Sequence, residues 1–342
     1  MEVKDKAKEK KKCLVLFSGG LDSRLALILM KKLGFETIAL NFVLPFLTSS
    51  QKITLNFAKD QKVRLIFVDC TKGKLFDEYL KIVKKPRYGY GNAMNPCIDC
   101  KIFMLKKAKE IMKKIKADFI VTGDVLNERP MSQTAKALKL IEKEAGLEGF
   151  VLRPLSAKLL APTIVEKQGI VKREMLLAIK GRSRKKQIEL AKKYGISFPS
   201  PAGGCLLCEK EYASKLKDLF QHKKRIKPID IALLKIGRHF RYKKAKIIVG
   251  RNKKENEKLR ELAKDLFLFE ARNVPSPLTV LDGKINKETI KIAAALTAFY
   301  SDARDKEVEV VYGKGKFNRK VNKVIKISKP SKEAVEKLRI RW

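Results

Sequence analysis

The stretch CLVLFSGGLDSRLALILMKK, from Cys13 to Lys32, narrows the folds open to this chain more than any other. Its first five residues are apolar and read as a buried strand. They pass directly into Ser18-Gly19-Gly20-Leu21-Asp22-Ser23, and the spacing from Leu21 to Leu33 is that of a helix closed by Gly34. Paired glycines let the backbone turn sharply and let a ligand approach it without Cβ interference. The helix start adds unpaired N–H groups and the positive end of a dipole. Together these make an anion site, with the Ser18 and Ser23 hydroxyls as further donors. Asp22 beside a phosphate is electrostatically wrong unless Mg²⁺ lies between them, so the ligand read here is a metal-bound pyrophosphate. Ser-Gly-Gly alone would support only a capped turn; the whole hexapeptide between strand and helix is far more specific. The Gly-Lys-Ser/Thr ending of a Walker A loop is absent.

The rest of the first half repeats this alternation. TIALNFV (37–43), VRLIFVD (63–69) and DFIVTGD (118–124) read as strands, and FVLRPL (150–155) as a fifth. Helical patterns run over Phe76–Lys84, Ile102–Ile115 and about Ser132–Ala145. Such alternation predicts an α/β fold, a parallel sheet with helices on both faces that binds ligands at the carboxyl ends of its strands. Ile179–Tyr194 reads as a basic helical region and FPSPAGGC (198–205) as a turn-rich loop. After Pro228 the pattern mixes. AKIIVGRN, VEVVYG and NKVIKI suggest strands; KENEKLRELAKDL and KETIKIAAALTAFYSDAR suggest helices. The boundary is placed near Lys227, giving one domain over 1–227 and a smaller α+β domain over 228–342. The lysine-rich start, to about Lys12, is expected to be disordered or loosely attached.

Charge speaks to partners. Lysine and arginine number 78 against 37 acidic residues, a net +41. A thermophile's solvated surface would set glutamate against lysine. The imbalance instead predicts a polyanionic partner, nucleic acid first. No segment is long and apolar enough to span a bilayer, and the basic start lacks the apolar stretch and cleavage site of an export signal. A cytoplasmic protein that does not engage membranes is expected.

In that reducing setting the six cysteines are not expected to form structural disulfides. Cys13 and Cys70 lie in strand patterns and read as small buried hydrophobes. Cys97 and Cys100 stand in NPCIDCKIFML, just ahead of a helix, and Cys205 and Cys208 in SPAGGCLLCEK. A helix start and nearby lysines should depress thiol pKa values. A zinc ribbon spaces such pairs by roughly 15–20 residues, so a shared site here must be closed by tertiary folding. Three uses stay open: a structural zinc on four thiolates, a redox pair carrying persulfide sulfur, and a [4Fe-4S] cluster on three cysteines with one open iron.

The hexapeptide Ser18–Ser23 resembles the PP-loop of the ATP pyrophosphatases, which cleave ATP between the α- and β-phosphates and activate an oxygen as its adenylate. The resemblance places the adenine pocket at Leu40, Asn41 and Phe42, and a second nucleotide loop at Gly123 and Asp124, with Ser132 and Gln133 after it. GNAMNPCIDCKIFML further resembles the tRNA thiouridine synthases, the 2-thiouridylases in particular. On that resemblance Cys97, Cys100 and Cys205 match the family's ligand positions. A [4Fe-4S] cluster then ranks ahead of persulfide chemistry and of zinc, and Cys208 has no assigned role. Cys100, Cys205 and Asp22 become the expected catalytic residues, Asp22 helping to hold Mg²⁺, and no general base is assigned.

In the second half GRHFRYKKAKIIVGRNKKENEKLRELA, ARNVPSPLTVL and AALTAFYSDAR resemble the RNA-binding module of the NFACT proteins, over roughly Lys235–Lys326. Glu270 departs from it, standing near where members often carry His. Arg238, His239, Arg241, Lys243, Lys244, Arg251 and Arg272 gather around Tyr242 and Phe240 as an expected RNA patch, with Phe240 itself read as core. The other histidine, His222, reads as a phosphate contact or as inert. Nothing reads as the THUMP domain of 4-thiouridine enzymes, which leans the product towards 2-thiouridine. The expectation is an ATP-dependent tRNA sulfurtransferase, fed by inorganic sulfide or a persulfide carrier and compatible with a homodimer. The rivals are another PP-loop synthase with structural zinc and a non-catalytic RNA-binding protein with a relic loop.

Overall fold

A computed structural model of the chain describes residues 10–48, 50–199, 204–315 and 323–341. The lysine-rich start and the Ser-Pro-Ala-Gly part of the turn-rich loop lie outside the described residues. The chain divides into two compact units, Met1–Cys208 and Glu209–Trp342.

The first unit holds β1 (Lys12–Leu16), α1 (Leu21–Lys32), β2 (Glu36–Val43), α2 (Gln51–Asp60), β3 (Arg64–Asp69), α3 (Gly73–Lys84), α4 (Cys97–Lys114), β4 (Phe119–Thr122), α5 (Ala135–Ala145), β5 (Val151–Leu152), α6 (Ile164–Lys167) and α7 (Lys185–Lys193). All strand pairs are parallel, in the order β3-β2-β1-β4-β5. The chain winds outward from β1 through β2 to β3, then returns to β4 on β1's other side. The carboxyl end of β1 is therefore the point where strand order reverses, where open α/β sheets carry ligands. Side chains alternate across the sheet. Cys13, Val15 and Phe17 join Leu25 and Ile28 of α1 in one core, while Leu14 is buried on the other face. α4 lies against β1 and β4.

Two expectations need correction here. The basic segment 179–194 is helical only over Lys185–Lys193, because Gly181 takes φ +86° and donates its N–H to Leu126 O at 2.7 Å, which ends the regular pattern. α2 was not anticipated: of its ten residues only Thr54, Phe57 and Ala58 are buried, too narrow a stripe to read.

The second unit holds α8 (Lys210–His222), α9 (Pro228–Leu234), β6 (Arg238–Tyr242), β7 (Ala245–Val249), α10 (Lys253–Leu262), β8 (Phe267–Ala271), β9 (Thr279–Asp282), α11 (Lys287–Phe299), β10 (Glu307–Lys314), β11 (Lys323–Ser328) and α12 (Lys332–Leu338). Its six strands pair antiparallel in the order β11-β10-β8-β9-β7-β6. α11 packs Ala293, Ala294 and Leu296 into a core with Phe240, Ile247, Phe269 and Leu281. The boundary falls after Cys208, not near Lys227. α8 belongs with the second unit because Asp218 pairs with Arg241 of β6 and Lys246 of β7.

Candidate functional site

At the switch point the backbone of the glycine turn is held from beneath. Gly19 takes φ +81°, and a Cβ there would stand 2.9 Å from Thr54 Oγ1 of α2. Arg24, buried, donates from Nε to Gly19 O at 2.7 Å and from Nη1 to Ser197 O at 2.5 Å, with its guanidinium 4.3 Å from the Phe57 ring centroid. Ser23 Oγ donates to Gly20 O at 2.9 Å and lies 3.3 Å from Ser18 Oγ. Gly20 is the N-cap of α1, and no side chain caps it. The first-turn N–H groups are thus left for a ligand.

A cavity of about 400 Å³ opens there. Ser18, Gly20, Asp22 and Ser23 line it, as do Leu40, Asn41 and Phe42 at the end of β2. Gly19 and Leu21 shape the turn without lining the cavity, Leu21 being buried in the core. Asn41 is fixed by donating from Nδ2 to Phe17 O at 2.7 Å. Gly123 and Asp124, after β4, line it too. A Cβ on Gly123 would meet Asp22 C and Ser23 N at 2.6 Å, so glycine there lets the two loops touch backbone to backbone.

Electrostatics separate the two aspartates. Burial pushes Asp124 up, but Lys101 and Arg153 outweigh it, and the carboxyl is held down at about 2. Thr122 Oγ1 and Gln133 Nε2 also donate to it, each at 3.0 Å. At Asp22 the counterweights are weaker: the Arg184 charge and the Gln187 side chain lower its carboxyl without offsetting what raises it. Its Oδ1 is buried without a hydrogen bond, and burial, then the Glu128 carboxylate, push it up to about 6. An orphaned, buried carboxylate oxygen facing a phosphate-type loop suits a divalent cation.

The distant cysteine pairs meet on the same cavity, which Cys97, Cys100 and Cys205 line. α4 starts at Cys97, so the first pair sits inside the helix's first turn, at the i and i+3 spacing that shares a face. Asn95 Nδ2 donates to Cys97 Sγ at 3.2 Å, and the buried Tyr79 hydroxyl lies 3.3 Å from Cys100 Sγ. The 205–208 turn is brought in by backbone bonds: Leu206 N to Phe46 O at 2.9 Å and Met94 N to Leu207 O at 3.0 Å, beside a bridge between Cys205 and Leu47. Cys208 is part of this group, since its thiol interacts with those of Cys205 and Cys97.

The expected low thiol pKa values are not found. The Cys208 thiol and then burial raise Cys97, and burial pushes Cys100 up to about 12. Clustering and burial of sulfur outweigh the helix start and Lys101. Among the described residues no three His, Cys, Asp or Glu side chains stand as a ready-made metal cage. Cys13 and Cys70 are fully buried, as expected.

Sequence reading missed Glu128, Arg184, Tyr79 and Lys101, all of which line the cavity. Glu128, Arg184 and Tyr79 lie outside the motifs, and Lys101 stands in NPCIDCKIFML with no role read for it; each is recognisable only by the partner that folding brings to it.

In the second unit the expected RNA patch is largely committed internally. His239 is buried, its Nε2 2.8 Å from Ile236 O, and burial holds its imidazole well below the ordinary range. Arg241 grips Asp218 at 2.9 and 2.5 Å. Lys243 pairs with Glu288, Arg251 with Glu255 and Arg272 with Glu309. His222 Nδ1 lies 2.8 Å from Asp218 O, in the same ion-pair cluster. Phe240 is fully buried, as read from the sequence.

Comparison with known proteins finds a match in each half. Residues 8–171 match the family described as thiamine biosynthesis protein (ThiI), and residues 237–339 the NFACT protein RNA binding domain. A probable tRNA sulfurtransferase of Methanocaldococcus jannaschii is 34% identical over 149 residues, covering 42% of this chain and 36% of that protein. A tRNA-specific 2-thiouridylase MnmA of Karelsulcia muelleri is 26% identical over 253 residues, covering 70% of this chain and 61% of that protein. This chain thus spans about a third of the length of the first relative. A solved 4-thiouridine synthetase–RNA complex with bound ATP aligns at TM-score 0.35 and 23% identity, covering 53% of this chain and 50% of that one.

Proposed function

We propose that this chain, which joins a PP-loop domain of the ThiI type to an NFACT-type RNA-binding module, is an ATP-dependent tRNA sulfurtransferase. One observation carries the reading: the glycine loop, the end of β2 and the three thiols of Cys97, Cys100 and Cys205 line a single cavity. Nucleotide activation and sulfur delivery need that proximity, because an adenylated base must meet sulfur before water does.

The first-turn N–H groups of α1 and the Ser18 and Ser23 hydroxyls receive the phosphates. Asn41 and its strand neighbours border the base. The uracil carbonyl oxygen bonds to the α-phosphorus and pyrophosphate leaves, drawn by the same N–H groups. Sulfur then bonds to the ring carbon, and the carbon–oxygen bond breaks with release of AMP. Mg²⁺, when bound at Asp22, would offset charge on the phosphates. We assign the cysteine trio to a [4Fe-4S] cluster, and the product to 2-thiouridine; three cavity-facing thiols form a donor set suited to such a thiophilic group. When bound, the cluster would present sulfur through an iron that no cysteine occupies. Tyr79 orients Cys100, and Asn95 orients Cys97.

A second reading, four thiols closing on zinc, is favoured by Cys208 lying against Cys97 and Cys205. Anaerobic purification separates the two. A broad brown absorbance retained in Cys208→Ser supports the cluster; a colourless zinc protein that loses its metal in Cys208→Ser supports the rival. The activity itself is tested by mass spectrometry of tRNA nucleosides from a deletion strain. Complementation with wild type should restore a thiolated uridine and Asp22→Ala should not. A deletion strain with an unchanged set of thiolated nucleosides overturns the reading.

A further inference from the structure

The basic segment 180–186, KGRSRKK, has five cations in seven residues. Arg184 is committed to Glu128, with Nη2 2.9 Å from Oε1. Lys180, Arg182, Lys185 and Lys186 are exposed. The segment is strapped to the loop after β4. Lys180 bridges Leu126, Gly181 donates its N–H to Leu126 O at 2.7 Å, and the Arg184–Glu128 pair ties the two a second time. Next to Glu128 that loop carries Arg129, which is exposed and also lines the nucleotide cavity. The loop is itself closed, by Asn127 N to Gln133 O at 2.8 Å and by Gln133 N to Arg129 O at 3.0 Å. Arg129 and the four exposed cations of the segment have no salt bridge or side-chain hydrogen bond to a described residue. The cavity's carboxylates turn to other cations: Asp124 to Lys101 and Arg153, Asp22 and Glu128 to Arg184.

Unpaired like charges on one strapped backbone repel each other. Lys185 and Lys186 also stand in the first turn of α7, where no acidic residue answers the positive end of the helix dipole. A polyanion laid along these cations relieves both. The cavity says which polyanion. A uridine reaches the thiols only after it leaves its stack, and it brings its flanking phosphates to the cavity's rim. Arg129 marks that rim, since it lines the cavity and its charge acts on Cys208, the exposed thiol of the cluster. An anionic membrane offers phosphates but no base to enter the cavity. We infer that Arg129 and the segment 180–186 form one phosphate-binding rim, which grips the RNA backbone on either side of the uridine to be thiolated. The inference rests on the sulfurtransferase reading and adds to it an RNA grip in the first unit.

The test uses the full chain and an unmodified tRNA transcript that carries the uridine identified by the deletion-strain analysis. Affinity is measured between about 50 and 200 mM salt, where each phosphate neutralised adds about one unit to the slope of log affinity against log salt. Arg129→Gln/Arg182→Gln and Lys185→Gln/Lys186→Gln should each lower that slope by about one unit or more. Phosphate-ethylation interference then locates the grip. Ethylating the phosphates that flank the target uridine should weaken wild-type binding and should cease to matter in the Lys185→Gln/Lys186→Gln chain. Either double variant suffices should the other fail to fold. A wild-type slope in a folded double variant overturns the inference, as does interference confined to phosphates remote from that uridine. Weaker binding to phosphatidylglycerol vesicles with the tRNA slope unchanged assigns the cations to a membrane and overturns it too. A wild-type chain that neither binds nor thiolates tRNA sinks the functional reading as well; binding and thiolation indifferent to these changes sink this inference alone.

Discussion

Asp124 shows how one residue joins the two chemistries of the cavity. It follows β4, in the loop proposed to meet the nucleotide, yet the ammonium it binds belongs to Lys101, next to Cys100 in α4. Its carboxyl is held down at about 2 against burial, by Lys101 and Arg153. The unfolded carboxyl titrates at about 3.9. A depressed folded value means that the stabilisation is complete above the unfolded pKa and is lost as pH falls from about 4 to about 2. Asp124→Asn should therefore lower the denaturation midpoint at neutral pH, and its deficit against wild type should shrink through that acid window. A deficit that stays constant from pH 5 to pH 2 would count against the Lys101–Asp124 pair. The same residue shows what could be read in advance. Gly123-Asp124 could be singled out through the PP-loop resemblance; no role could be read for Lys101, Glu128 and Arg184, because their meaning lies in partners 23 and 56 positions away.

At the scale of elements, the concealed feature is β6. RHFRY reads as a basic cluster because strand recognition expects apolar residues at alternate positions. Here the alternation is present, but His239 and Arg241 occupy the face turned from Phe240, and Lys246 is Arg241's cross-strand partner. Charges fill buried positions because α8 carries Asp218 over them. Arg241 meets it at 2.5 Å and Lys246 at 3.9 Å. Burial lowers Lys246 to about 8 even with Asp218 beside it. Removing the acidic partner deprives buried Lys246 and half-buried Arg241 of their shared carboxylate, which costs up to about 3–5 kcal/mol. Asp218→Asn should therefore lower urea stability by that order, and Lys246→Met in the same chain should recover part of it. An Asp218→Asn chain within about 0.5 kcal/mol of wild type, the range of an ordinary surface change, would show that α8 is held by other contacts. The boundary near Lys227 went astray for the same reason, since a helix docked by ion pairs carries no apolar signal of the domain it joins.

At the scale of the whole molecule, charge is the property that sequence conveyed most directly and local structure least. With 78 basic and 37 acidic residues, every acid could be paired and 41 cations would still lack an acidic counterpart. The pairs at Arg241, Lys243, Arg251 and Arg272 show that the residues nearest the NFACT-like motifs are among those already spent. On the proposed function, attraction for RNA would come from this surplus, not from the one patch of side chains named around Tyr242. Such attraction works by counterion release, and its strength follows the number of phosphates neutralised. If six or more are engaged, affinity for tRNA should fall by about 10³ or more between 50 and 200 mM salt. Removing one cation that is already paired, as in Arg272→Ala, should leave the slope of log affinity against log salt unchanged. A slope that drops by about one unit on that single change would place Arg272 on a phosphate, and it would restore the discrete patch that the ion pairs argue against.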